Sequence, residues 1–160
     1  IYIATKLDAG CDIKFLRFVA MLHDVRDHKY SDSITSDQLY QFINLYYDDY
    51  DTGRILDIIN NISYSKQIKG KRNLLIKTDQ IYLDIVSDAD RLEAIGQIGL
   101  DRCITYTLAT GGKVPEDVIT HCHEKLLRLL PDGFIVTEPG KELAEPLHQV
   151  IVDYCNSGLL

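Results

Sequence analysis

The chain has no apolar run near the roughly 18–20 residues that cross a bilayer as a helix, which sets aside transmembrane function of that kind. It shows no basic-then-apolar signal segment, so the expectation is a soluble cytoplasmic protein with no membrane partner. Cysteine is sparse. Cys11, Cys103, Cys122 and Cys155 form no C-x-x-C and no other metal-ligand spacing, and read as buried free thiols of a reducing compartment. Positive charge is short as well: 17 Lys and Arg face 24 Asp and Glu, a net charge of −7. That balance argues against a nucleic-acid polymer as partner, because gripping a phosphate backbone needs a basic face. It leaves a small phosphorylated ligand open, since metal ions and a few local cations can offset that ligand's charge. No G-x-x-x-x-G-K loop and no G-x-S-x-G occur, which leaves P-loop ATPase and serine hydrolase readings without support. Convincing strand pairs and fixed-period repeats are also missing.

What is there is helical periodicity. The 160 residues suffice for one domain with a real core, and 46% hydrophobic with 26% charged residues is ordinary for a globular chain. Ile13, Phe15, Leu16, Phe18, Val19 and Leu22 mark a buried helix that ends at His23-Asp24. After a Ser/Asp/Thr-rich break at 31–37, Thr35 or Ser36 caps a helix with Leu39, Phe42, Ile43, Leu45 and Tyr46 facing inward. Thr52 is the expected cap of the next helix, with Ile55, Leu56, Ile58 and Ile59 inward. Residues 64–73 (YSKQIKGKRN) read as a basic loop. The helical pattern resumes at Thr78 and runs past Asp90 to Ile95, where Gly96 and Gly99 allow close packing or a bend. Pro115 suits the first turn of a helix reaching about Leu130, and a last helix spans about 140–154 with Pro146 inside it. The pattern predicts an all-α protein, a single domain of about six or seven helices.

Two short constellations carry chemistry. In the first, LHDVRDHK (22–29), a histidine and an aspartate sit at the end of an apolar helix, where both can reach one ion. Imidazole plus carboxylate suits Mn, Fe, Zn or Co better than Ca. Asp27, three residues past Asp24, is placed to hold a water or act as general base. In the second, VSDADRLE (86–93), burying a carboxylate in an apolar helix is costly unless it is paired or binds a metal. Asp88 and Asp90 differ by two positions and so face different ways. At most one of them faces a core site.

MLHDVRDHKY (21–30), IINNISYSK (58–66), IVSDADRLEAIGQIGLDR (85–102) and HCHEKLLRL (121–129) together resemble the HD-domain metal-dependent phosphohydrolases. The likeness is greatest to small bacterial-type members thought to be nucleotide pyrophosphohydrolases, and it spans essentially the whole chain. The resemblance implies His23, Asp24 and Asp90 as ligands of a divalent ion (Mn, Mg, Fe, Co or Zn), with Asp88 supporting them. It implies Asp27 as the acid that activates water, and Lys29, Lys66, His121 and Lys125 as phosphate contacts. The implied activity is hydrolysis of a phosphorylated small molecule, a nucleotide: a nucleoside triphosphate giving monophosphate and pyrophosphate, or a nucleoside monophosphate.

The family pattern includes one more histidine on the first helix, just before the segment that begins here with Ile1-Tyr2-Ile3-Ala4. The chain starts without Met, so the expectation is that this histidine lies upstream of Ile1. If the site lacks it, the alternative is a helical protein of the same fold that binds a nucleotide or partner without catalysis. His28 reads as a solvated loop residue, with substitution for that histidine as the alternative, and Ile62 stands where some relatives carry a further histidine. The sequence leaves a homodimer open.

Overall fold

Several helices of this protein begin where a short polar side chain takes over backbone amides that the helix itself leaves unbonded. The computed structural model describes residues 1–8, 10–25 and 34–157. Among these the fold is all-α: nine α-helices, one 3-10 turn and no strand. The chain divides into two units, Ile1–Val86 and Ser87–Leu160, with the division falling inside one long helix.

The first unit holds α1 (Tyr2–Leu7), α2 (Ile13–Leu22), α3 (Ser36–Asn44), α4 (Asp49–Ile62), α5 (Tyr64–Ile68) and the first part of α6 (Lys77–Glu93). Asp12 starts α2 by accepting from the amides of Lys14 and Phe15, at 2.8 and 3.2 Å, and its own amide donates to the Tyr82 hydroxyl at 2.9 Å. Thr35 and Gln38 form a reciprocal capping box at α3. Phe15, Leu16, Val19, Leu39, Ile43, Ile55 and Ile58 make the core, each nearly or fully out of water. Arg54 ties α4 to the first turn of α6 through Asp79, at 2.6 Å, while its guanidinium lies 4.9 Å from the Phe15 ring. Its hydrogen bonds, the one to Asp79 first, hold the Arg54 pKa above its ordinary value despite partial burial.

Three expectations for this unit change. Thr52 does not cap α4: it is buried inside the helix, its hydroxyl donating to Asn44 Oδ1 at 3.3 Å. Asp48, with extended backbone, takes the cap and accepts from the Asp51 amide at 2.9 Å. The segment read as a loop from residue 64 opens as α5, a helix too short for a periodic pattern to appear in sequence. On α3 only Leu39 and Ile43 are buried, whereas Phe42, Leu45 and Tyr46 are exposed. Phe42 and Tyr46 instead gather around Phe18, with ring centroids 6.2 and 5.6 Å away, and shield one another at the surface.

The second unit holds the last part of α6, then α7 (Gly96–Ala109), α8 (Glu116–Glu124), a 3-10 turn (Leu126–Arg128) and α9 (Glu138–Ser157). The helix expected from Pro115 to Leu130 is therefore two pieces. Lys125, at φ −136° and ψ −61°, leaves helical geometry between them. Pro115 sits one place before the first helical residue, and Pro146 lies inside α9 as expected. At the α6–α7 junction Gly96 has φ +73°, and a Cβ there would meet Leu147 Cδ2 at 2.7 Å. A Cβ on Gly99 would come within 2.3 Å of the Ala94 backbone, so close approach requires glycine there, whereas at Gly96 the positive φ is the stronger demand because a side-chain methyl can shift. All four cysteines are free thiols, but only Cys122 and Cys155 are buried as expected, Cys11 and Cys103 being partly open to solvent. Burial, with Cys155 alongside, pushes the Cys122 pKa up to about 12 and keeps the thiol protonated. Among the described residues no helix is long and apolar enough to cross a membrane.

Two glycine substitutions should move stability in opposite directions. Gly53 lies within α4, and nothing stands within 4 Å of the position that a Cβ would take. Gly53→Ala should therefore stabilise by about 0.5–1 kcal/mol. Gly96→Ala should destabilise by about 1–3 kcal/mol, from the positive φ and the Leu147 clash together. Urea denaturation of the two variants measures both.

Candidate functional site

The apolar face of α2 carries the chain to the edge of the first unit's core, where Leu22 is still buried and His23 is half-buried. His23 takes the C-cap position and Asp24 follows it into solvent. The His23 Nδ1 lies 2.8 Å from the Ala20 carbonyl oxygen. A carbonyl only accepts, so Nδ1 carries the hydrogen, and in the neutral ring Nε2 then holds a lone pair. That Nε2 faces Asp24 Oδ2 at 3.2 Å. An imidazole lone pair and a carboxylate oxygen at this distance repel unless a proton or a cation lies with them. The spacing suits two ligands of one divalent ion, each held at roughly 2.0–2.2 Å. The residues present thus fit a metal ion by donor chemistry and by separation.

In the second unit, residues 87–91 of α6 bring several polar side chains into a buried stretch. Asp88 is fully buried. Its Oδ1 accepts from the Val136 amide at 2.9 Å, and its Oδ2 accepts from the Thr137 amide and hydroxyl at 2.8 and 2.6 Å. Burial pushes the Asp88 carboxyl pKa up, and these donors pull in the opposite direction. A Cβ on Gly140 would lie 2.5 Å from Asp88 Oδ2, so the close approach of α9 to this carboxylate needs glycine there. Asp88 therefore joins α6 to the start of α9. Asp90, two residues on, is half-buried and accepts from Arg91 Nη1 at 3.2 Å. The same Nη1 donates to the Ser87 carbonyl at 2.9 Å. Arg91 is among the largest fully buried side chains. Arg102 Nη1 lies 3.9 Å from Glu93 Oε2.

The predicted phosphate contacts are placed as follows. Lys66, on α5, donates from Nζ to the Asn60 carbonyl at 2.5 Å, near the end of α4. His121 stands in the last turn of α8, and Lys125 follows that helix, its amide donating to the His121 carbonyl at 3.0 Å. Burial, and then the Lys125 charge, lower the His121 pKa below the ordinary histidine value, so the ring is neutral near pH 7. Asp27 and Lys29, with His28, lie outside the described residues.

No family model matches the chain. It is similar to the uncharacterized protein YpgQ of Bacillus subtilis (strain 168), 29% identical over 159 residues, which are 96% of this chain and 74% of that protein. The crystal structure of B. subtilis YpgQ in complex with ADP superposes with a TM-score of 0.75 at 26% identity, covering 98% of this chain and 79% of that one. The crystal structure of an HD-superfamily hydrolase from Bacillus thuringiensis gives a TM-score of 0.72 at 25% identity, covering 99% of this chain and 77% of that one.

An NMR titration of the imidazole Cε1–H signals should find His121 below the ordinary histidine pKa. Lys125→Gln should raise it only part of the way back, because burial is the larger cause. A full return to the ordinary value would assign the whole shift to the lysine.

Proposed function

Because the chain has the HD-superfamily fold, we propose that it is a metal-dependent phosphohydrolase whose substrate is a nucleotide. The observation that carries this reading is the His23 Nε2 facing Asp24 Oδ2 at 3.2 Å, with the opposite ring nitrogen fixed by the Ala20 carbonyl. His23 and Asp24, together with Asp90, are the three side chains that we assign as metal ligands. A one-imidazole, two-carboxylate set suits Mn, Fe, Co, Zn or Mg. The presence of ADP in the YpgQ crystal supports a nucleotide as the substrate class.

A divalent ion at this site supplies Lewis acidity toward a water molecule and a phosphoryl oxygen. The residues of the chain do the rest. The Ala20 carbonyl holds His23 in the tautomer that presents Nε2. Asp88 and Arg91 secure the stretch of α6 that carries Asp90. Asp27 takes the proton from the attacking water. Oxygen of that water bonds to phosphorus while the P–O bond to the leaving group breaks, with pyrophosphate departing from a triphosphate, or from a monophosphate a nucleoside whose released oxygen takes up a proton from solvent. Lys29, Lys66 and Lys125 offset the charge that accumulates on the leaving group. His121, neutral near pH 7, offers a hydrogen bond rather than a charge.

Phosphate and pyrophosphate release from a panel of nucleotides, with Mn or Mg added, tests the reading. Release that needs the metal, and that Asp90→Ala reduces by about 100-fold or more, is the expected outcome, equivalent to a few kcal/mol of barrier. No release from either protein, with no metal bound after purification, would overturn the enzyme and leave a non-catalytic protein of this fold that binds a nucleotide or a partner.

A further inference from the structure

The second unit contains an open groove of about 610 Å³ whose floor and walls are the apolar side chains of Leu92, Ile95, Ile98 and Leu147. Its volume falls in the range of small-molecule sites, roughly 300–1,000 Å³. The groove is built rather than incidental. Leu147 can stand against the α6–α7 junction because residue 96 is glycine, where any Cβ would lie 2.7 Å from Leu147 Cδ2. Ile95 at its base is 2% exposed, whereas Ile98 on the rim is 74% exposed, a large aliphatic side chain presented to solvent.

The polar groups around these walls are Glu93, Gln97 and Arg102. They offer an acceptor, an amide with both functions, and a planar donor. Arg102 Nη1 and Glu93 Oε2 stand 3.9 Å apart on mostly exposed side chains, a loose pair that can exchange for a ligand at little cost. Gln97 donates from Nε2 to Asp101 Oδ1 at 2.8 Å, which orients its carbonyl oxygen. Flat apolar faces with a hydrogen-bonding edge complement this arrangement, and a planar guanidinium stacks on such faces. A plain acyl chain would leave the polar rim unused, and a second anionic group would meet Glu93.

Position selects among ligands of that shape. Glu93 follows Asp90 by three residues, so the two lie on one side of α6. Leu92, two residues past Asp90, faces another way, so it is the Glu93 rim of the groove that stands about one helical turn, roughly 5 Å along the helix, beyond the carboxylate assigned to the metal. That is the reach of a sugar between a phosphate and its base. We infer that this groove receives the heterocyclic base of the nucleotide, with Ile98 and Arg102 as residues that determine specificity. The inference rests on the hydrolase reading for the place of Asp90.

Inorganic tripolyphosphate, which has the phosphate chain and no base, separates the two ideas. The wild-type protein should prefer nucleoside triphosphates to tripolyphosphate in kcat/KM. Ile98→Asp should lower that preference about tenfold, mainly through KM, as expected for losing an apolar contact to the substrate. Arg102→Ala should alter the ranking among the four bases. Hydrolysis of nucleotides with the preference and ranking unmoved in both variants would overturn the groove assignment and leave the hydrolase standing. A dimer that Ile98→Asp converts to monomer, again with the preference unmoved, would assign the groove to a second copy of the chain and overturn it equally. If the wild-type protein hydrolyses nothing, the hydrolase reading fails by itself. The groove is then judged by titrating the four nucleosides into metal-free protein, where shifts in the Gln97 and Ile98 amide signals support it and no shift overturns it.

Discussion

Burial of charge in the last turns of α6 is the constraint on which the second unit is organised. Asp88 and Arg91 are both buried and lie within four residues of one helix, with Asp90 half-buried between them. A carboxylate removed from water costs several kcal/mol unless donors replace the lost solvent. Val136 and Thr137 provide three such donors from the segment that begins α9, and Gly140 allows that segment to come close. Arg91 is held in part by the Ser87 carbonyl one turn back along its own helix. The result is a polar junction whose geometry is over-determined, which is what a residue such as Asp90 needs if its carboxylate is to be held in one place.

Asp88 and Asp90 show how environment divides the labour between two identical side chains. The first is fully buried and its oxygens accept from the backbone and hydroxyl of a neighbouring segment, so its capacity is spent on structure. The second is partly open and touches Arg91. A similar division holds at the end of α2. His23 uses one ring nitrogen to fix itself to the Ala20 carbonyl and turns the other toward Asp24. At His23 a backbone carbonyl orients the ring directly, and at Asp90 the neighbouring Arg91, itself bonded to the Ser87 carbonyl, touches the carboxylate, which is the supporting role expected around metal ligands. The proposed phosphohydrolase and its base-binding groove both depend on such support, since the lining of that groove includes Glu93, three residues beyond Asp90.

Much of the fold was legible in the residues themselves. The apolar spacing of 13–22 and 78–93, and the polar residues before α3, mark helices because burial at a 3.6-residue period and unsatisfied terminal amides are local demands. The histidine and aspartates of the two motifs stood out for a similar reason: charged groups inside apolar helices need an explanation. Other features escaped because their cause is not local. Phe42 and Tyr46 are apolar on a helix and were expected inside, yet they find an aromatic partner in Phe18 at the surface. Thr52 has the chemistry of a cap, but Asp48 reaches the free amide first and the helix starts earlier.

By itself, then, the sequence determined that the chain is helical, where most helices begin, and which residues carry imidazole and carboxylate into apolar surroundings. These follow from periodicity and from the cost of burying polar groups, both of which act over a few neighbouring residues. Only the tertiary structure decided that Asp88 accepts hydrogen bonds from residues 48 and 49 places away, that Arg91 is sealed from water, and that Gly96 lets Leu147 wall a groove. Those outcomes depend on which side chains meet across different helices. No local pattern encodes that meeting, because the partners are close in space and distant in the chain.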